Sequence, residues 1–257
     1  MKKVEFFSIS KIGNEIQDNK DSIRFNQKER RFAISDGGSG TSCSKEWANL
    51  LTESFVEAPF NEPEPDIKKW IYPLQVSWYN SVPWDRLINS KGGVDCYEKA
   101  MDGAAATFLA GVIEDSGGKV ILKAWALGDT NLFIVRNDEN IFSFPLKSSE
   151  DFSLYTSQIF STPKKIEPSE ELINYVGKFE YMAEEIHHGD IVICSSDSIS
   201  KWYLESIEHK TLENISVIPW HELLSLDSEE KFHSFIREKI DIENMKNDDS
   251  TLLVMKF

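Results

Sequence analysis

The sequence predicts an α+β fold, and three observations carry that prediction. Short segments rich in β-branched and aromatic residues fall into groups along the chain. Segments with helical spacing of apolar residues are inserted between those groups. Four of the hydrophobic runs end at, or start from, an aspartate. They are RRFAIS before Asp36, ILKAWALG before Asp129, DIVICSS before Asp197, and STLLVMKF after Asp248-Asp249.

Residues 3–9 read as a first strand, and 22–25 with 31–35 as a hairpin through NQKERR. A helix follows from about Ser44 to Glu57. Trp47, Leu50, Leu51 and Phe55 share its buried face, and Ser42 or Ser44 can cap it. PFNEPEPD (residues 59–66) breaks the pattern. A second helix carries Ile67, Trp70, Ile71 and Leu74, and Pro73 is expected to kink or end it. The loop at Lys91-Gly92-Gly93 leads to a third expected helix with Tyr97, Met101, Phe108 and Val112 inward, its Gly103–Ala106 run allowing close approach of another backbone. Ser116-Gly117-Gly118 turns the chain into a meander of strands at about 119–127, 131–136 and 140–144. Residues 145–180 are polar, contain prolines and lack periodicity, so they read as a surface excursion. A strand at 190–196, helices at 199–207 and about 228–240, and a strand at 250–257 complete the chain, with no repeat or evident linker.

Carboxylates at the ends of several strands can converge on one rim. Such hard oxygen ligands suit Mg²⁺ or Mn²⁺. A single aspartate in such a place is ordinarily a turn residue, bonding nearby backbone amides. The order and context of all four together favour the metal reading.

That order resembles a family. FAISDGGSG (residues 32–40) looks like the Asp-Gly-x-Gly-Gly element of the type 2C, metal-dependent (PPM) Ser/Thr protein phosphatases. NKDS (19–22) resembles their upstream Asn-Glu/Gln-Asp element, and GAAATFLAGVI (103–113) their Gly-Ser/Thr-Thr-Ala helix. ALGDTNLFIVRN (126–137) resembles their Val-Gly-Asp-Ser-Arg hairpin, ICSSDSISKW (193–202) their Ser-Asp-Gly element, and NDDSTLLV (247–254) their closing strand. The six elements stand in the family's order over nearly the whole chain. The helix with its Trp47-Ala48 pair and Pro83-Trp84 look closest to a divergent bacterial branch.

The resemblance implies one domain over residues 1–257, an αββα sandwich of two antiparallel sheets flanked by helices, with the site at one end and a flap at about 145–180. It implies hydrolysis of phosphoserine or phosphothreonine in proteins with two or three Mg²⁺ or Mn²⁺ ions. Asp36 would bridge two ions, and a metal-bound water would be the nucleophile. Gly37 would offer its carbonyl. Asp197 and Asp248 would complete one coordination sphere, Asp129 would help hold a further ion with Asp197, and Asp21 would act through metal-bound waters. Asp249 would position its neighbours. The sequence departs from the family at Ile16, where many members carry a phosphate-holding arginine, at Lys20 in place of an acid or amide, at Asn131 in place of arginine, and at Ser198 in place of glycine.

Composition agrees with a globular chain of 257 residues, 40% hydrophobic and 28% charged. With 43 acidic and 28 basic residues the net charge is −15, which opposes binding to nucleic acid or to an anionic membrane. An acidic site can still receive a phosphoprotein where metal ions neutralise it. Three cysteines, Cys43, Cys96 and Cys194, without zinc-type spacing, fit a reducing compartment. The start MKKVEFFSIS reads as a strand, not a leader, so the expected location is cytoplasmic; the resemblance implies a signalling role opposite a Ser/Thr kinase. Two alternatives remain open: a catalytically weak phosphatase-like regulatory partner, and a phosphatase of a small phosphoester.

Overall fold

A computed structural model describes residues 1–89, 93–152, 158–161, 175–176, 178–213, 218–242 and 245–257. Two five-stranded antiparallel sheets form its centre. One is built from β1 (Lys3–Ile9), β13 (Ser250–Lys256), β12 (Ile191–Ser195), β7 (Asn131–Arg136) and β8 (Glu139–Phe144), in that order. The other runs β11 (Glu180–Ile186), β6 (Lys119–Leu127), β5 (Phe108–Ser116), β3 (Arg31–Ser35) and β2 (Ser22–Asn26).

Side-chain alternation sorts each strand between two cores. Val192 and Cys194 of β12, and Phe32 and Ile34 of β3, fill the layer between the sheets. Ile193 points outward to meet Trp202, Tyr203 and Phe232 from α5 (Asp197–Glu213) and α7 (Glu229–Asp241). Ala33 faces the other way, with Trp47, Leu51 and Phe55 of α1 (Ser44–Glu57) and Trp78 of α2 (Ile67–Ser81). The three cores make the order helix, sheet, sheet, helix, the αββα sandwich expected.

Several local expectations are corrected. The third helix stops early. After α3 (Trp84–Asn89) and α4 (Gly93–Met101), residues 105–116 are extended as β4 (Ala105–Ala106) and β5. Residues 104–110 are buried throughout, because β5 lies inside its sheet with helices on one face and the second sheet on the other. A strand buried on both faces shows no alternation and cannot be told from a buried helix by periodicity. Pro73 does not end α2, which runs on for eight residues to Ser81. A proline inside a helix costs about 3 kcal/mol, and burial of Ile67, Ile71 and Trp78 offsets it. No serine caps α1. Cys43 stands at its N-cap in the left-handed region (φ 58°), and the Ser44 hydroxyl is buried without a partner among the described residues.

α6 (Pro219–Leu224) and β11 were not anticipated. Most of the expected flap, residues 153–157 and 162–174, lies outside the described residues. One described part is not at the surface. β9 (Gln158–Phe160) pairs with β4 and with β10 (Tyr175–Val176), its Ile159 is fully buried, and its carbonyl accepts the Trp47 indole N–H at 2.9 Å. Among the described residues no helix is long and apolar enough to cross a membrane.

Packing within the second sheet leaves no room for a side chain at Gly111. A Cβ there would lie 2.5 Å from the fully buried Phe32 ring and 2.9 Å from the Lys123 carbonyl. Gly111→Val is therefore expected to destabilise the fold by about 1–3 kcal/mol, read as a lowered midpoint in urea denaturation. An unchanged midpoint would contradict this packing.

Candidate metal centre

Strand register brings the acidic strand ends together. Ser22 of β2 pairs with Ser35 of β3, so Asp21 and Asp36, one residue beyond each, lie side by side at one end of their sheet. In the facing sheet Ser195 pairs with both Asn131 and Leu252. That places the end of β12 with Asp197, the start of β7 after Asp129, and the start of β13 after Asp248 at one edge. The two sheets are tied at this end by hydroxyls. Thr107 Oγ1 lies 2.7 Å from Thr130 Oγ1, and both residues are buried. Thr107 also holds the Asp36 backbone. Its N–H donates to the Asp36 carbonyl at 2.9 Å, and the Ser35 hydroxyl donates to the Thr107 carbonyl at 2.6 Å.

Gly37 explains itself sterically. A Cβ there would stand 2.8 Å from the Lys20 carbonyl and 3.0 Å from the backbone of Ser44. Only glycine lets the 36–38 turn pass between these segments. Gly38 N–H then donates to the Ala105 carbonyl at 2.8 Å.

The carboxylates feel one another. Burial raises the Asp36 pKa well above its ordinary value, and the charges of Asp21, Asp197, Asp129 and Asp248 raise it further. Asp36 keeps part of its surface open, as the floor of a concave site would. Asp21 is pushed up to about 8, first by burial and then by the charges of Asp249 and Asp197. The nearby hydroxyls of Thr251 and Ser196 ease this shift. Neither forms a hydrogen bond of proper geometry with Asp21. Ser196 Oγ accepts the Thr251 N–H at 2.9 Å, and Thr251 Oγ1 pairs with Ser8 Oγ at 2.8 Å. Both Asp21 oxygens are thus buried without a hydrogen-bond partner among the described residues. Asp197, the first residue of α5, is also raised by burial, with Lys246 opposing and Asp248 reinforcing the shift.

Among the described residues, no three His, Cys, Asp or Glu side chains stand close enough together to hold an ion as they are placed. A lysine instead bridges the outer pair. Lys246 Nζ is 2.6 Å from Asp248 Oδ2 and 3.3 Å from Asp197 Oδ2. The donor set nonetheless fits a hard divalent cation. Its side-chain donors are all carboxylates, it is strained by its own charge, and Asp21 offers two buried acceptors without a hydrogen-bond partner among the described residues.

The other residues singled out in the sequence take plain roles. Asp249 accepts the backbone N–H groups of Lys11 (2.9 Å) and Lys20 (2.8 Å), the positioning role expected of it. Lys20 Nζ donates to the Ser39 carbonyl at 3.3 Å, beside the turn that carries Gly37. Ile16 is 73% exposed, in a single 3-10 turn at Ile16–Asp18. The Asn131 amide pairs with both backbone groups of Leu146, and the Ser198 hydroxyl lies 2.9 Å from that of Ser250. Sequence reasoning missed Lys246, Thr107 and Asn19. The Asn19 side-chain oxygen accepts the Asp21 N–H at 2.9 Å and fixes the turn before β2. The lysine two residues before Asp248 was the available signal for Lys246.

No family model matches the sequence, and no curated protein matches it. Solved structures do share its fold. The photosystem II phosphatase PBCP is 15% identical over 99% of this chain and 98% of its own, with a TM-score of 0.56. The Mycobacterium tuberculosis serine/threonine phosphatase PstP is 14% identical over 99% of each chain, at 0.53. The catalytic domain of PstP in complex with two manganese ions is 15% identical over 98% of this chain and 96% of its own, at 0.50. The sandwich described above is the fold of type 2C Ser/Thr phosphatases.

Asp21 supplies a pH test. Its folded pKa lies above its unfolded value, so the native chelated protein binds more protons than the unfolded chain between about pH 4 and pH 8. Stability is then lost as pH rises through that window. In EDTA, Asp21→Asn is expected to exceed the native protein in stability at pH 8 by on the order of 1–3 kcal/mol, the difference closing at pH 4. Urea denaturation at several pH values measures it, and a variant less stable at pH 8 would contradict the assignment.

Proposed function

We propose that this chain is a Mg²⁺- or Mn²⁺-dependent phosphatase of phosphoserine and phosphothreonine in proteins, acting as one domain in the cytoplasm opposite a Ser/Thr kinase. The observation that carries this reading is the buried Asp21 carboxylate, without a hydrogen-bond partner among the described residues, beside four further aspartates at one end of a phosphatase fold. Such a group is costly unless a cation compensates it.

A bound pair of divalent ions would supply an activated water to the phosphate ester. In this reading Asp36 would be the carboxylate that holds the ions, with the Gly37 carbonyl as a further oxygen donor. Asp197 and Asp248 would supply further carboxylates, Asp129 with Asp197 would help hold a weaker ion, and Asp21 would act through metal-bound water. Thr107, Ser35 and Thr130 fix the Asp36 turn, so its carboxylate needs little reorganisation on binding. The helix dipole at the start of α5 favours the charged form of Asp197.

Two observations favour the second reading, a weak enzyme serving as a regulatory partner. The lip position held by arginine in many relatives of this type is the exposed Ile16, and Lys246 already pairs with two of the carboxylates. An arginine grips phosphate with paired, charge-assisted bonds that isoleucine cannot make.

EDTA is expected to abolish hydrolysis of para-nitrophenyl phosphate and of phosphopeptides, and Mn²⁺ to restore both. Asp36→Asn should lose at least about a hundredfold in kcat, the scale of removing one electrostatic stabiliser, while its circular dichroism stays native. Full turnover in chelator, with no metal by elemental analysis, would exclude the proposal. Ile16→Arg is expected to lower KM for a phosphopeptide several-fold with little change in kcat. An active native enzyme whose KM does not respond would show that Ile16 does not face the phosphate.

A further inference from the structure

Lys246 touches two of the candidate ligands, and nothing in the proposed chemistry uses it. Its ammonium lies against Oδ2 of Asp248 at 2.6 Å and Oδ2 of Asp197 at 3.3 Å. Each carboxylate keeps its other oxygen for backbone. Asp197 Oδ1 accepts the Ser198 N–H at 2.7 Å, and Asp248 Oδ1 accepts the Asp249 N–H at 3.1 Å. The two oxygens without a backbone donor are the two that Lys246 contacts.

We propose that Lys246 is a built-in counter-cation that competes with the divalent ion for Asp197 and Asp248, and so sets the metal concentration at which the centre fills. The inference rests on the proposed metal reading and adds a regulatory residue to it. A point-charge ammonium and a divalent ion cannot share the same oxygens at contact distance without strong repulsion. Metal binding must therefore displace the lysine. The side chain has somewhere to go. It is 63% exposed, and it also lines a cleft of about 340 Å³ that contains Lys201, Trp202 and Glu205. Turned into that cleft, its ammonium would lie in water beside the Lys201–Glu205 pair. The four-carbon stem makes that movement a matter of rotamers, with no backbone change.

The competition has two sides. With divalent ion scarce, the lysine offsets repulsion between Asp197 and Asp248 and stabilises this edge of the sandwich. With divalent ion abundant, the lost lysine pairing is subtracted from the binding free energy. Because Lys246 is largely exposed, each pairing is weak, so the effect on affinity is modest.

Isothermal titration of the chelated protein with Mn²⁺, alongside thermal unfolding in EDTA, tests the proposal on the native chain, Lys246→Met and Lys246→Arg. Lys246→Met is expected to bind Mn²⁺ roughly three- to tenfold more tightly than the native chain. In EDTA its Tm should fall by about 2–4 °C. Lys246→Arg, which keeps the charge, should bind no more tightly than the native chain. Lys246→Gln replaces the methionine variant if that one does not fold in chelator. Equal Mn²⁺ affinity in native and Lys246→Met proteins, or weaker affinity in the variant, would overturn the role of Lys246 and leave the metal reading standing. Failure of the native chain to bind Mn²⁺ at millimolar concentration would overturn the metal reading, and this inference with it.

Discussion

Mutual repulsion among carboxylates at one end of the sandwich is the constraint around which the rest is arranged. Asp36 carries the electrostatic load of Asp21, Asp129, Asp197 and Asp248 together, on top of its own burial. Charges so placed would spread apart if the backbone allowed it. Strand pairing does not allow it. Asp21 and Asp36 are held by adjacent paired strands, and Asp129, Asp197 and Asp248 by three strands that meet at Ser195. The hydroxyl bond between Thr107 and Thr130 then joins the two sheets at that end. Stability from three hydrophobic cores is used here to maintain a destabilising arrangement, as functional sites commonly require.

Cations answer that repulsion at different radii. Lys246 reaches the outer pair directly. Lys20 stays at the rim, its ammonium on the Ser39 carbonyl, and contributes its backbone to Asp249 instead. Neither reaches Asp21, whose oxygens remain unsatisfied among the described residues. Among the described residues, Asp21 is thus the carboxylate for which the chain supplies no cation of its own. A protein of net charge −15 has little long-range attraction for a phosphorylated partner. Local neutralisation at this end is what would let an anionic substrate approach.

Much of this was legible in the sequence. The acidic strand ends were visible because β3, β6, β12 and β13 are short apolar runs stopped by polar turns. Helix α1 was legible to the residue because Trp47, Leu51 and Phe55 repeat at helical spacing. β5 was not, because burial on both faces erased its alternation and its alanines imitate a helix. Pro73 was a local signal that packing of Ile71 and Trp78 overrode. The sequence placed Lys246 beside Asp248 but could not show that it also reaches Asp197, since that contact spans forty-nine residues of chain.

The central claim is that the crowded aspartates form a divalent-cation centre, and anomalous scattering from crystals grown with Mn²⁺ tests it most directly. The account predicts manganese peaks within coordination distance of Asp36, with Asp197 and Asp248 on one side and the Gly37 carbonyl on the other, and Lys246 turned away. Manganese absent from this end at saturating concentration, with Lys246 still bridging Asp197 and Asp248, would contradict it.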